Sequence, residues 1–313
     1  MGVFDDIQAG LGKGFDAAMD AAGKGFDAAA SATNKALVTR APFIQAFIHL
    51  CDDGWLQGWH ERNGGNLTYR MTEEDVAKVR GGFDSEPREW VDLGFSEPTL
   101  ANAYFLITGS GAYMHNVSAS PIENIGIVEM NEAGSAYRVV WGLVNRKPTS
   151  ELPTHIMNHA IRMKATDGVC RVIYHAHPNN IIAMTFIEPL DARTFSRALW
   201  KAMTECVVVF PEGVGVVPWM VPGGNEIAKA TSEQMKSYPA VIWAQHGLFV
   251  SGADFDETFG LMHCIEKAAD IYFRARTMNG GSNEFLNTIT DEGLAQIGVE
   301  FNVEINKEFL DVQ

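Results

Sequence analysis

Residues 172–180 read VIYHAHPNN, an apolar strand pattern with two histidines separated by one alanine. In an extended chain, residues i and i+2 project from the same face. The strand rise places His175 and His177 about 7 Å apart at Cα, close enough for two ring nitrogens to meet on one ion. The pair alone is a weak metal signal. It requires a third ligand, an acid and something for the metal to act upon.

His246, in VIWAQHGLF, supplies the candidate third ligand. It follows the apolar strand AVIWA, where Gly247 is expected to allow a tight turn. Three neutral imidazoles leave a fourth zinc position open, the arrangement of catalytic rather than structural zinc. His159 and His263 lie in helical patterns and read as ordinary partly buried histidines. His49, His60 and His115 show no metal-ligand spacing.

Three turns carry small polar side chains: ERNGGNLT (61–68), ITGSGAY (107–113) and KPTSELPTH (147–155). Glycine-rich turns expose backbone N–H groups that can wrap an anion, and Asn63, Asn66 and Ser110 add side-chain donors or hydroxyls. Thr149 and Ser150 precede a predicted helix, whose free amides and dipole favour phosphate. The same residue types also make simple turns and caps. Glu151 stands beside those hydroxyls, either as a dipole partner at a helix start or as a base removing a proton from carbon. Glu205, in KAMTECVVVF, is read as ending one helical pattern and leading into an apolar strand. Burying that carboxylate would need a reason.

The chain has 313 residues, with 46% hydrophobic and 20% charged, which describes an ordinary globular protein. Its net charge of -15 repels nucleic-acid phosphates and anionic membranes, so neither is expected as a partner. Cys51, Cys170, Cys206 and Cys264 are scattered without a C-x-x-C, which reads as buried reduced thiols in a reducing compartment. The most apolar region, CVVVFPEGVGVVPWMVP, is broken by Pro, Gly and Glu, and no compact apolar signal opens the chain. A cytoplasmic location is expected.

Residues 1–38 differ from the rest. GKGFDAAMDAA (12–22) is followed by GKGFDAAASAT (23–33), an 11-residue repeat that sets Phe4, Phe15, Phe26 and Leu37 on one slowly drifting helical stripe. Each repeat also carries two glycines, so the helix is marginal alone and should fold mainly against a surface. This stretch holds five aspartates against three lysines, so it lacks the basic face of a membrane-bound helix. A protein groove is the expected partner, first in a bacterial microcompartment shell, then another tail, and last a fusion origin. Residues 39–313 read as one domain. Strands are expected at NLTYRM, AYFLIT, NIGIVEM, GSAYRVVWG, RVIYHAH, CVVVF, VGVVPW and AVIWAQ. Helices are expected at PFIQAFIHLCDDGWLQGWHER, THIMNHAIRMKA, TFSRALWKAMTE, NEIAKATSEQMKSY and ETFGLMHCIEKAADIYFRARTM.

ERNGGNLT, TGSG, PTSELPTH, HAH followed by NNIIA, TECVVVFPEGVG, PWMVPG and HGLF…DETFGL together resemble the class II aldolase/adducin family, in order from about residue 43 to 300. TECVVVFP and PWMVPG point to its rhamnulose-phosphate branch. The resemblance implies an α/β fold, a three-layer αβα domain with a mainly antiparallel sheet, preceded here by the amphipathic extension. It implies a homotetramer with active sites at subunit borders and one zinc ion per subunit on His175, His177 and His246. It makes Glu151 the catalytic base, and Asn63, Gly65, Asn66, Ser110, Thr149 and Ser150 phosphate contacts. Glu205 is implied to reach the aldehyde end from a neighbouring subunit. The implied activity is reversible cleavage of L-rhamnulose 1-phosphate to dihydroxyacetone phosphate and L-lactaldehyde, with negative charge spread as an enediolate on zinc. Other zinc aldolases or epimerases, of fuculose- or ribulose-phosphate type, would use the same ligands. A non-catalytic adducin-like module would be marked by loss of the three histidines, all of which are present.

Overall fold

The computed structural model describes residues 37–311. The repeat that defines the extension lies outside the described residues. Leu37 and Val38 do not: Leu37 is exposed, whereas Val38 is buried in the main core, so the body begins slightly before residue 39.

Helix α1 spans Pro42–Leu56 and is entered through a proline whose missing N–H costs a helix nothing at that position. Phe43, Ile44, Phe47, Ile48 and Cys51 turn inward at helical spacing. Next come β1 (Asn66–Arg70), α2 (Glu73–Val79), β2 (Val91–Asp92), β3 (Tyr104–Thr108), α3 (Pro121–Asn124), β4 (Ile125–Met130) and β5 (Ala136–Gly142). The second half holds α4 (Leu152–Ala165), β6 (Val172–Ala176), α5 (Asn179–Met184), α6 (Ala192–Ala202) and α7 (Glu205–Val209). It closes with β7 (Gly215–Val217), α8 (Asn225–Gln234), β8 (Ala240–Trp243), β9 (Gly247–Gly252), α9 (Phe255–Met278) and α10 (Asp291–Glu300).

Among the described residues, nine strands make one sheet in the order β2-β5-β4-β3-β1-β6-β9-β8-β7, antiparallel throughout except for the β7–β8 pair. Alternation along β6 shows how its two faces are used. Val172, Tyr174 and Ala176 join the core built with α1, α6 and α9. Ile173 points to the opposite face, packed with residues of α8, and α4 covers the β3–β5 part of that face through Leu152, Ile156 and Ala160. Helices therefore lie on both faces of a mainly antiparallel sheet, as expected.

Two local expectations fail. CVVVF is not a strand: residues 205–209 form α7. Cys206, Val207 and Phe210 are all fully buried at i, i+1 and i+4, and the Trp200 indole donates to the Phe210 carbonyl at 3.1 Å. Packing against neighbouring helices overrides the β preference of the valine run. Glu205 accordingly opens a new helix rather than closing the previous one, which ends at Ala202. A strand not expected, β9, continues HGLFVSG beside the histidine strand. Among the described residues, no helix is long and apolar enough to cross a membrane.

Candidate active site

His175 sits near the centre of the sheet, paired with Asn66 of β1 on one side and Phe249 of β9 on the other. Its ring is fully buried, and Nδ1 lies 3.1 Å from the Leu248 carbonyl. That contact requires the proton on Nδ1 and leaves the Nε2 lone pair free, the usual outer support of a metal-bound histidine. His177 follows at the strand end, with Nδ1 2.7 Å from the Glu61 carboxylate. Its Nε2 lies 3.2 Å from His175 Nε2. His246 arrives from the turn between β8 and β9 and completes the cluster. One ligand nitrogen from each of the three rings falls within 4.8 Å of the others.

The β8–β9 turn is made differently from the expectation. Its left-handed residue is Gln245 (φ 55°), not Gly247. The Thr185 hydroxyl accepts from the Gln245 amide at 3.0 Å, and the Gln245 side chain donates to the Thr185 carbonyl at 2.9 Å. Gly247 serves close approach instead: a Cβ there would stand 2.5 Å from the Ala176 carbonyl and 2.9 Å from both His175 Cε1 and His177 Cδ2. The 61–65 loop also presses on the cluster, since a Cβ at Gly64 would stand 2.9 Å from His177 Nδ1. His60 anchors that loop, with Nε2 2.7 Å from the Tyr174 hydroxyl and Nδ1 3.0 Å from the Gly64 carbonyl.

Burial favours the neutral form of His175 and His246. Desolvation first, then the two neighbouring imidazoles, keeps His175 well below the ordinary value. His246 is pulled down to about 4 by burial and by His177, against the opposing charge of Glu61. Neutral imidazole is the form that ligates a metal, and three such nitrogens suit a divalent transition ion with one position open.

Glu151 is the N-cap residue of α4, yet its side chain caps nothing there. The carboxylate turns inward: Oε2 lies 3.7 Å from His175 Nε2 and accepts from Asn66 Nδ2 at 2.8 Å. Burial pushes its carboxyl up to about 7, opposed by the Asn66 bond. An acid poised near neutrality beside a histidine cluster able to hold a metal can both take and return a proton. Asn66, expected at a phosphate, is bonded at both ends of its amide, to Glu151 and to His155 Nε2.

The three polar turns converge here. Ser110 N–H donates to the Lys147 carbonyl, and Thr149 N–H to the Thr108 carbonyl, joining the second turn to the third. Thr149 is buried, and its hydroxyl accepts from the Glu151 amide at 3.3 Å. Asn63, Ser110 and Ser150 are exposed, while Gly65 takes a left-handed φ of 75°. Glu205 stands apart. It is exposed on α7, where its charge acts on the thiols of Cys206 and of Cys264 on α9. His159, read as partly buried, is fully buried, and His263 is exposed.

Sequence reasoning missed Glu61, Thr68, His155 and the role of His159. Glu151, His155 and His159 stand at i, i+4 and i+8, one helical face, which is a signal present in the sequence.

The family described as Class II Aldolase and Adducin N-terminal domain matches residues 45–273. Rhamnulose-1-phosphate aldolases from Shigella sonnei (strain Ss046) and Escherichia coli O7:K1 are each 45% identical over 267 residues, covering 85% of this chain and 96% of theirs. A sugar-phosphate aldolase structure from Thermotoga maritima aligns with a TM-score of 0.63 at 28% identity, over 76% of this chain and 95% of that one. An L-fuculose 1-phosphate aldolase shares the fold at a TM-score of 0.54 and 21% identity, over 84% and 97% of the two chains. With a three-histidine cluster built on the buried His175, an adjoining carboxylate and a family match across most of its length, the chain belongs to the class II aldolase and adducin family.

Proposed function

We propose that this chain is a zinc-dependent lyase that reversibly cleaves L-rhamnulose 1-phosphate to dihydroxyacetone phosphate and L-lactaldehyde. The observation that carries the chemistry is Glu151 Oε2, 3.7 Å from His175 within the three-histidine cluster. The substrate rests on the rhamnulose-1-phosphate aldolases that are 45% identical over 85% of the chain. His175, His177 and His246 would hold the metal. A zinc ion there supplies a Lewis acid that draws developing negative charge onto the ketose oxygens.

The chain's own residues do the rest. When the C3–C4 bond breaks, its electron pair remains with C3, the C4 hydroxyl gives its proton to water, and the aldehyde forms. Glu151 then delivers a proton to C3 of dihydroxyacetone phosphate; in the addition direction it removes that proton. Asn63, Gly65, Ser110, Thr149 and Ser150, with Asn66 beside them, would hold the phosphate on the converging turns, where backbone amides offset the chain's overall negative charge. Glu205, exposed and apart from the cluster, would act on the aldehyde end of a neighbouring subunit's site in a homotetramer. Residues 1–38 would dock in a groove of a microcompartment shell, a reading supported by their apolar stripe and missing basic face. The enzyme would work in the cytoplasm or within such a shell.

The test is zinc content per subunit together with cleavage of L-rhamnulose 1-phosphate against L-fuculose 1-phosphate. Preference for the rhamnulose sugar with one zinc per subunit is expected; equal or reversed preference overturns the substrate. Glu151→Gln should keep its zinc and lose at least about a hundredfold in turnover. Unchanged proton exchange at C3 of dihydroxyacetone phosphate in that variant would remove Glu151 from the base role.

A further inference from the structure

Behind Glu151 runs a continuous buried chain of polar groups, from Asn66 through His155 and Thr68 to His159, whose last three members lie outside the proposed metal and phosphate contacts. Asn66 Nδ2 reaches Glu151 Oε2 at 2.8 Å, and Asn66 Oδ1 contacts His155 Nε2. His155 Nδ1 lies 2.7 Å from the Thr68 hydroxyl, which lies 2.8 Å from His159 Nε2. Every one of these residues is buried, and Thr68, His155 and His159 are fully so. The row ends at His159 Nδ1, which has no hydrogen-bond partner among the described residues.

Only one assignment of protons satisfies every contact with an ionised Glu151. A carboxylate can only accept, so Asn66 must offer its NH2 and turn its carbonyl oxygen toward His155. His155 must then carry its proton on Nε2, which leaves Nδ1 as an acceptor. Thr68 has a single hydroxyl proton and must give it to His155, so its oxygen accepts from His159 Nε2–H. His159 Nδ1 is left as a bare lone pair, the one position where lacking a donor partner is consistent with the pattern. Reversing any link turns the whole row around and points the Asn66 carbonyl at the carboxylate, two acceptors face to face.

We infer that Thr68, His155 and His159 are positioning residues that fix the Asn66 amide by a one-way hydrogen-bond relay and so hold Glu151 for proton transfer. The inference rests on the reading of Glu151 as the base. Imidazole neutrality fits it, because burial pulls His155 down to about 3 and His159 well below its ordinary value. The element placement fits as well. Asn66 and Thr68 are two apart on β1 and share a face, while Glu151, His155 and His159 climb one side of α4 above them.

Thr68→Val removes the hydroxyl at nearly constant volume, and Thr68→Ser restores it. In the zinc-loaded full chain, Thr68→Val should lower kcat about ten- to a hundredfold, the scale of lost outer supports, with KM and zinc content unchanged. Thr68→Ser should recover most of that loss. In the Glu151→Gln background, Thr68→Val should add little, since the residue it positions is already gone. Histidine-selective 15N NMR should find His155 protonated on Nε2 in the parent chain and a changed tautomer mixture in Thr68→Val. Wild-type kcat in Thr68→Val, a raised KM alone, or a full additional loss in the Glu151→Gln background would each overturn the relay. Near-normal turnover in Glu151→Gln would instead strike the base reading, and the His155 tautomer would still decide whether the relay exists.

Discussion

The rings of His175 and Phe249 stack across the β6–β9 pair, with centroids 4.1 Å apart and planes inclined by 10°. The Leu248 carbonyl fixes one edge of the imidazole, and the phenyl face fixes its plane. A ligand so constrained loses little freedom when it binds a metal. Phe249→Leu should cost about 1 kcal/mol from the lost aromatic pair, and Phe249→Ala about 3–5 kcal/mol because Phe249 is fully buried. Both should weaken metal binding as the ring is released. Denaturant midpoints of the metal-free protein and a competitive zinc titration measure the two effects separately; unchanged zinc affinity in Phe249→Ala would show that stacking does not orient the ligand.

Gly247 offers a sharper perturbation. An alanine methyl there meets the Ala176 carbonyl at 2.5 Å and sits against the rings of His175 and His177 at 2.9 Å. Backbone cannot swing aside as a side-chain tip can, so the histidines or the β6–β9 pairing must shift. Gly247→Ala is expected to cost about 1–3 kcal/mol from overpacking and to leave less than one zinc per subunit. Elemental analysis checks the second part, and a fully loaded variant would contradict it.

The histidine cluster was legible because strand periodicity puts i and i+2 together and a third histidine follows another apolar strand. The relay was not, although Glu151, His155 and His159 share helical spacing, because nothing in the chain announces that β1 lies beneath that face. CVVVF misled for a related reason. Its β-branched run has strong strand preference, but burial of Cys206, Val207 and Phe210 against helices, rather than cross-strand pairing, decides its conformation. Glu205 goes with it: expected to close the preceding helix, it opens α7 and is exposed there.

Away from the site, Asp291 at the start of α10 gathers Arg197, Lys201 and the Asp311 amide around one carboxylate. Burial alone would raise its carboxyl, but the bonds from Arg197, Lys201 and the amide win and hold it well below the usual range. A carboxyl whose folded value is depressed contributes stability above its unfolded value, about 3.9, and loses it as pH falls toward the folded value. Asp291→Asn should therefore destabilise the protein by about 2–3 kcal/mol at neutral pH, the scale of a lost charged hydrogen bond. The gap between variant and parent should stay constant down to about pH 4 and narrow below it. Urea midpoints across that range test the sign; a gap that widens in acid would refute it.

The last prediction concerns the extension. Val38 is buried in the body's core, so a truncation that tests the extension alone must stop at residue 36. The repeat's stripe of Phe4, Phe15 and Phe26 carries no residue of the proposed site, and the sheet, histidines and relay are built from residue 60 onward. Removing residues 1–36 should leave zinc content, turnover and subunit assembly unchanged. Recruitment to a protein shell should disappear in the same protein. In the intact chain, Phe15→Asp with Phe26→Asp should abolish recruitment without touching catalysis, because a charge on the stripe opposes burial in an apolar groove. Recruitment that survives both aspartates would remove the groove reading. Lost turnover in the truncation, with refolding to the parent's thermal midpoint, would instead show that the extension completes the enzyme body.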